Sequence, residues 1–299
     1  MGTLNAFVDR PLLREAFDQH ARGWPLLQTQ LDQARATSPA LAPARSALAF
    51  GYLVRFELAR WSIAARVDAV ATGWVAHLGL HNLSCFPALA PQAKRWATFV
   101  AGAQARIGAY IRGEEVAEGD RIRLALHLAQ LDPLYRDPAA AAERMRLPQP
   151  PSPALVAQLA QWLAHWRADW APDHGPHQRL LLNPEFGWLP GVGGADVDLV
   201  LDDTALILAC GHRGWTPALL RRLAGYAALS ELTGFHLPGS AHLAHPVQAI
   251  GAYFVRAQPG QRIQAFPVRA LFPDGEWERY CAVFAEHARQ PGAVPLDRR

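Results

Sequence analysis

The spacing of apolar positions changes along the chain, from a helical period in the first half to short β-rich runs after residue 178. In residues 46–61 the side chains of Leu48, Tyr52 and Phe56 recur at helical spacing, together with Arg55 and Ala59. The same period returns at 92–112 and at 119–131. Because apolar residues three and four apart share one helix face, these segments predict amphipathic helices.

A proline-rich segment, LPQPPSP at 147–153, interrupts the helical half. Proline fixes the backbone without requiring disorder, so the segment is either a stiff connector inside one fold or a hinge between two lobes. Ser152 is then placed to cap a helix with Pro153 in its first turn. That helix is expected to continue to about Trp170.

The second half predicts a sheet with two helices. Short runs rich in β-branched and aliphatic residues, separated by turn residues, predict strands at 180–184, 195–202, 204–210, 248–256 and 262–268. Asp202 and Asp203 stand where a tight hairpin would reverse the chain. Helical patterns occupy 217–232 and 275–288. The fold class predicted from this order is α+β, with a helical N-terminal half packed on a sheet in the C-terminal half.

The bulk properties select a globular chain. Its 299 residues, 51% of them hydrophobic, can bury a full core. Three widely separated cysteines form no CxxC pair, which indicates neither a disulfide framework nor a zinc ribbon and favours a reducing compartment. The N-terminus has no apolar signal region, and no apolar run approaches the roughly 20 residues needed to span a bilayer. We expect a cytoplasmic protein with no membrane partner.

One stretch carries a family resemblance. The segment GGADVDLVLD at 193–202 begins a hairpin that is followed by the helix containing RRLAGY and the strand AIGAYFVR. This order resembles uncharacterised bacterial proteins that are similar to PD-(D/E)XK nucleases. The resemblance implies a restriction-endonuclease-like mixed sheet core within 151–299. It also implies a helical region at 1–150 that includes the leading core helix near 46–61 and is integrated with the core as one fold.

Nucleases of this kind bind a divalent cation between carboxylates on two adjacent strands, and a lysine lies two residues beyond the second acid. The resemblance places the first acid at Asp198, with Asp196 two residues earlier on the same face. It places the second acid and the lysine at Leu208 and Cys210, which cannot take either role. On the leading helix the matching position is Gly51. We therefore expect no catalytic residues, no metal site and no cofactor.

Three functions follow from this pattern. The first is a catalytically degenerate nuclease-like protein that acts as a nucleic-acid-binding or assembly subunit. The second is an active metal-dependent nuclease, using Mg²⁺ or Mn²⁺, with a site rebuilt around Asp196, Asp198 and His212. The third is a protein-interaction scaffold that uses the helical half and has no nucleic-acid role. We prefer the first, because neither His212 nor Arg213 supplies the missing second carboxylate.

The charge distribution favours a nucleic-acid partner. The segment from Thr204 to Pro273 contains six arginines and a single acid, Glu231, although the whole chain carries a net charge of only +3. A cationic surface of this kind attracts a phosphate backbone. Arg213, Arg221 and Arg222 are the residues predicted to bind DNA or RNA. The alternative is that these arginines only solvate the surface, since Lys94 is the single lysine of the chain.

Two further patterns have competing interpretations. His77, His81 and Cys85 recur every four residues, which on a helix would place metal-ligand types on one face, but their apolar neighbours favour packed or capping side chains. Trp162, Trp166 and Trp170 also recur every four residues. Such a stripe is most often buried in a core, and it would be a partner-binding face only if it were exposed.

Overall fold

The computed structural model describes residues 4–31, 44–61, 74–136, 150–170, 180–211, 214–236 and 246–290. The chain divides into two compact units. The sheet unit consists of Met1–Pro39 and His177–Arg299, and the helical unit consists of Ala40–Pro176. These units do not coincide with the predicted regions 1–150 and 151–299, because residues 1–39 group with the sheet and 151–176 with the helices.

The helices and strands are numbered here in chain order. The helical elements before the sheet are α1 (Leu4–Val8), α2 (Pro11–His20), α3 (Trp24–Leu31), α4 (Ala44–Trp61), α5 (Val75–Ser84), α6 (Ala90–Ile111), α7 (Glu118–Leu128), α8 (Asp132–Arg136) and α9 (Pro153–Trp170). The remaining elements are β1 (Leu180–Leu182), β2 (Glu185–Phe186), β3 (Leu199–Leu201), β4 (Thr204–Leu208), α10 (Pro217–Thr233), β5 (Phe235–His236), β6 (Ala249–Tyr253), β7 (Ile263–Pro267), α11 (Val268–Leu271) and α12 (Glu276–Arg289). A short 3₁₀ helix, Pro87–Leu89, precedes α6.

The α+β class is confirmed, with helices mostly in the first half and a five-stranded mixed sheet in the second. The strand order is β1-β3-β4-β6-β7. Strands β1, β3 and β4 pair antiparallel in sequence order, β4 and β6 pair in parallel, and β7 returns antiparallel to β6. Parallel strands require a crossover connection, which the long helix α10 supplies between β4 and β6.

The hairpin between β3 and β4 forms where the aspartate pair predicts it. Leu201 lies opposite Thr204, so Asp202 and Asp203 form a two-residue turn. Asp202 has a φ of 52°, in the left-handed region that aspartate tolerates better than most residues. The carbonyl of Asp203 then accepts backbone N–H groups from Gln248 and Ala249, which fixes the start of β6 beside β4.

Helix α10 is the central helix of the sheet unit. It begins at an N-cap in which the Thr216 hydroxyl accepts the Leu219 N–H at 3.2 Å, and Pro217 occupies the first turn. Gly225 lies at the crossing with α1, where a Cβ atom would approach Val8 Cγ1 to 2.8 Å. The absence of a side chain at Gly225 therefore allows α1 to pack directly against α10.

The helical unit has its own buried core. Trp162, Trp166 and Trp170 on α9 are each at most 5% exposed, so the tryptophan stripe is part of this core. Trp166 stacks on Trp170 with ring centroids 4.5 Å apart. Helix α9 begins where Ser152 predicts it, with the Ser152 hydroxyl accepting the Leu155 N–H at 3.3 Å. Within the described ranges, no helix is long and apolar enough to cross a membrane.

Candidate functional site

The acid-bearing edge of the hairpin is held in the sheet by backbone hydrogen bonds. Asp198 directly precedes β3, and its carbonyl accepts the Asn183 N–H at 2.9 Å. Asp196 forms an isolated antiparallel bridge with Glu185. Val197 between them is fully buried, whereas both aspartates are partly exposed. The alternation therefore places the two carboxylates on one face, as the strand pattern predicts.

The Asp198 carboxylate is already bound by the neighbouring strand. Its Oδ2 atom accepts the backbone N–H of Leu208 at 2.8 Å. This bond ties the side chain across the hairpin to the end of β4. It places a neutral backbone donor at the position to which the family resemblance assigns a second carboxylate.

Cys210 occupies the place where the resemblance puts the lysine, and it is 1% exposed. Burial, with a further contribution from the negative charge of Asp198, raises the pKa of the Cys210 thiol far above its usual range. The thiol therefore stays protonated at neutral pH. A protonated thiol is neither a strong nucleophile nor a metal ligand.

Helix α10 supplies a cation to the same carboxylates. Arg222 Nε donates a hydrogen bond to the hydroxyl oxygen of Tyr226 at 2.8 Å, one helical turn away. The guanidinium also lies 5.3 Å from the centroid of the Tyr226 ring. Tyr226 is 2% exposed and stacks on Phe186 with ring centroids 5.4 Å apart. The tyrosine thereby fixes the position of the arginine.

The pKa shifts describe one coupled group of four side chains, Asp196, Asp198, Arg222 and Tyr226, which we call the acid-arginine cluster. Burial lowers the pKa of Arg222, but Tyr226 and the two carboxylates outweigh burial, so the net shift is upward. Burial raises the pKa of Tyr226 to about 12, and the two aspartates add to this against the opposing effect of Arg222. At neutral pH the cluster therefore holds a charged arginine beside the aspartates and a neutral tyrosine.

The cluster is poorly suited to bind a divalent cation. A metal site concentrates negative oxygen donors, whereas the positive charge of Arg222 offsets the charge of the two carboxylates. Among the described residues no group of three or more histidine, cysteine, aspartate or glutamate side chains is arranged to hold a metal ion.

The other predicted site residues lie away from the cluster or outside the described residues. Asp202 and Asp203 are exposed at the opposite end of the hairpin. His212 and Arg213 lie outside the described residues.

Arg221, one of the predicted nucleic-acid-binding residues, has an intramolecular partner. Its Nε and Nη2 atoms both donate to Asp9 Oδ1, at 3.1 and 2.7 Å. The Arg221 side chain is 10% exposed, and Asp9 lies in the turn between α1 and α2. The pair connects α10 to the N-terminal helices. With Arg222 in the acid-arginine cluster, both described arginines of the predicted surface make structural contacts.

The residues matched to the leading helix lie in the helical unit. On α4, the Tyr52 hydroxyl donates to Asp132 Oδ1 at 2.7 Å and accepts the Ala76 N–H at 3.0 Å. Glu57 is 2% exposed and accepts two hydrogen bonds from Arg167 and one from the Tyr110 hydroxyl. These partners all belong to the helical unit. The polar groups on α4 therefore take part in a buried network of that unit.

The histidine and cysteine pattern at 77–85 is helical as far as Ser84. The His77 ring stacks on Trp74, with centroids 5.5 Å apart. Cys85 is exposed, and its thiol donates to the His81 carbonyl at 3.5 Å. In the described residues this pattern therefore shows packing and capping contacts.

The role of Tyr226 could have been predicted from spacing, since Arg222 and Tyr226 are four apart on a helix. The pairing of Arg221 with Asp9 could not be predicted, because 212 positions separate the two residues in the sequence.

Comparisons with known proteins give no match: no family model, no curated protein and no solved structure matches the chain.

Proposed function

We propose that this chain is a catalytically degenerate PD-(D/E)XK nuclease-like protein that acts as a nucleic-acid-binding or assembly subunit. The observation that carries the proposal is the acid-arginine cluster. In this cluster the positive charge of Arg222 offsets the negative charges of Asp196 and Asp198. The facing strand has no second carboxylate and no lysine there: it contributes the Leu208 N–H and the protonated Cys210 thiol.

The connectivity of the sheet supports the fold part of the proposal. The family resemblance implies a strand, a hairpin of two strands, a helix and a further strand, in that order along the chain. Strands β1, β3 and β4, helix α10 and strand β6 follow this order. The proposal includes a cytoplasmic location, which is favoured by cysteines that are free throughout the described chain.

A cleavage assay tests the catalytic part. The full chain is incubated with single- and double-stranded DNA and RNA in Mg²⁺ and in Mn²⁺, beside an Asp198→Asn variant, which keeps an acceptor for the Leu208 N–H. We expect no cleavage by either protein. Cleavage by the natural chain that disappears in Asp198→Asn would contradict the proposal and favour the rebuilt nuclease site with His212.

A binding isotherm tests the nucleic-acid part and separates it from assembly. Phosphate contacts release counterions, so binding to DNA or RNA must weaken steeply with salt. Arg213→Glu reverses the predicted surface arginine that lies outside the described residues, and Arg289→Glu reverses an exposed arginine at the end of α12 as a control. We expect Arg213→Glu to weaken binding and to flatten the salt dependence while Arg289→Glu changes little.

Arg221 and Arg222 are unsuitable for this test. A glutamate at either position would face Asp9 or the two cluster aspartates, so lost binding could reflect lost folding. If salt-sensitive binding is absent, the nucleic-acid role is excluded and the assembly role remains.

A further inference from the structure

The helical unit contains an open groove between α5 and α6 with a volume of about 460 Å³. Sites for small molecules in proteins have volumes of about 300–1,000 Å³ and mostly apolar walls with a few polar groups. From α5 the groove is lined by His77, Leu80, His81 and Ser84. These four residues follow i, i+3, i+4, i+7 spacing, so one continuous face of the helix forms the wall.

The opposite wall explains why the groove is open. Helix α6 contributes Ala90, Ala93, Lys94 and Ala97, again at i, i+3, i+4, i+7 spacing. Three of the four side chains are single methyl groups, which are too short to fill the space between the helices. The remaining one is the single lysine of the 299-residue chain.

The groove is positively charged and its own elements supply no opposing acid. The sequence contains no aspartate or glutamate between Asp68 and Glu114, a range that includes both walls. Helix α8 packs on α5 and carries Asp132, but that carboxylate accepts the Tyr52 hydroxyl at 2.7 Å. The start of α6, at Ala90, adds the partial positive charge of a helix N-terminus.

The two walls of the groove differ in character. Lys94 is exposed, so its ammonium group can meet an anion from solvent. His77 is half-buried and stacks flat on Trp74, and burial lowers its pKa, so it is a neutral aromatic surface at neutral pH. An apolar wall beside one permanent charge matches a ligand with an apolar body and a single negative group.

We propose that this groove binds an amphipathic monocarboxylate, with its carboxylate at Lys94 and its hydrocarbon body between the alanine face of α6 and the Leu80 face of α5. A carboxylate fits better than a phosphate dianion, because Lys94 alone among the described lining residues carries a permanent charge. The proposal concerns the helical unit and is independent of the acid-arginine cluster.

The single lysine provides a direct probe of this binding. Reductive methylation of the full chain with ¹³C-formaldehyde labels Lys94 and the α-amino group, and NMR then follows both resonances during titration with decanoate below its micelle concentration. We expect a saturable shift of the Lys94 resonance while the α-amino resonance stays in place. Decanol, which has the same apolar body without the charge, should bind at least fivefold more weakly.

Isothermal titration of unlabelled variants tests the contacts. Lys94→Gln should weaken decanoate binding at least fivefold, and Ala97→Phe, which adds a ring into the groove, should abolish it. Arg95→Gln removes an exposed charge one residue away that does not line the groove, so its affinity should equal that of the natural chain.

Three results would overturn the proposal: no decanoate binding below about 1 mM, equal affinity for decanoate and decanol, or unchanged binding in both Lys94→Gln and Ala97→Phe. Far-UV circular dichroism of each variant confirms that the helices remain folded. Failure of this proposal would leave the nuclease-like proposal unaffected, since neither experiment uses residues of the other site.

Discussion

At the scale of single residues, Arg222 decides the chemistry of the acid-arginine cluster. A helical position that faces the strand acids could carry a polar amide, which would leave the carboxylates free for a cation. Arg222 instead brings a permanent positive charge that Tyr226 holds in place. In the nuclease-like proposal, this cation and the apolar Leu208 both make the hairpin a poor site for a divalent metal ion.

Replacing Arg222 should therefore raise the affinity of the acid-arginine cluster for a divalent cation. In Arg222→Gln the carboxylates of Asp196 and Asp198 lose the positive charge that offsets them, so a divalent cation meets less repulsion at the cluster. We expect Mn²⁺ to bind at least about tenfold more tightly than to the natural chain, measured by isothermal titration. Arg269→Gln, which removes an exposed arginine paired with Glu278, is the control and should change nothing.

Alkaline pH should destabilise the sheet unit through Tyr226. Its pKa is raised to about 12 from an ordinary value of 10, so the neutral folded form is favoured and the stabilisation is complete below pH 10. As pH rises from 10 towards 12, roughly 2–3 kcal/mol of this stabilisation is lost. Urea midpoints measured from pH 8 to 12 should fall, and the fall should be shallower in Tyr226→Phe. Equal slopes in both proteins would contradict this role.

At the scale of helices and strands, the sequence predicted most of the sheet unit because its elements have strong local signals. The helix at 217–232 matches α10, and the strands predicted at 248–256 and 262–268 contain β6 and β7. The strand predicted at 195–202 was too long, since β3 has only three residues. Asp196 and Val197 make isolated contacts with the segment that contains Pro184, which lacks a backbone donor.

Small elements whose pairing depends on distant partners were not predicted. Strands β2 and β5 have two residues each and pair with one another across about 50 residues of chain. Periodicity cannot identify a two-residue strand, because the pattern needs at least four positions. In the candidate site, the sequence predicted that Asp196 and Asp198 share one face of a strand. The hydrogen bond from the Leu208 N–H to Asp198 depends on the register between two strands, so only the structure could show it.

The crossing of α1 and α10 gives a prediction about Gly225. Gly225→Ala should gain helix propensity of about 1 kcal/mol, but the added methyl would meet Val8 Cγ1 at 2.8 Å and Leu4 Cδ1 at 3.2 Å. We expect a net destabilisation of about 1 kcal/mol in urea unfolding. In a Val8→Ala background the same substitution should be neutral or stabilising. Additive effects in the double variant would argue against steric contact.

The buried stripe of α9 gives a second prediction at this scale. Trp166 is fully buried and stacks on Trp170, so Trp166→Ala should cost about 3–5 kcal/mol of stability. Trp188 is 59% exposed and is the matched control, since Trp188→Ala should change stability by less than about 0.5 kcal/mol. Thermal unfolding followed by circular dichroism measures both.

At the scale of the whole molecule, one of the two compact units is discontinuous along the chain. Residues 1–39 and 177–299 form one compact unit, and the helical unit is encoded between them. Local sequence patterns could not predict this arrangement, because it depends on contacts such as Arg221 with Asp9 and His20 with Glu276, which join the two ends of the chain. The boundary at residue 150 followed the proline-rich segment instead.

The helical unit should fold when it is separated from the rest of the chain. A protein consisting of residues 40–176 contains the Glu57 network and the tryptophan stripe in full. We expect it to be helical and to unfold cooperatively on heating, as judged by circular dichroism and calorimetry. A molten, non-cooperative transition would show that the unit depends on the remainder of the chain.

The discontinuity of the sheet unit has a consequence for biosynthesis. Helix α1 leaves the ribosome before the helical unit, with Leu4, Phe7 and Val8 destined for the core. Its partner α10 is translated only after the helical unit, which at about 5–20 residues per second delays it by roughly ten seconds or more. During that interval the apolar face of α1 is not yet covered by α10, which makes it a substrate for the chaperones that attend emerging polypeptides.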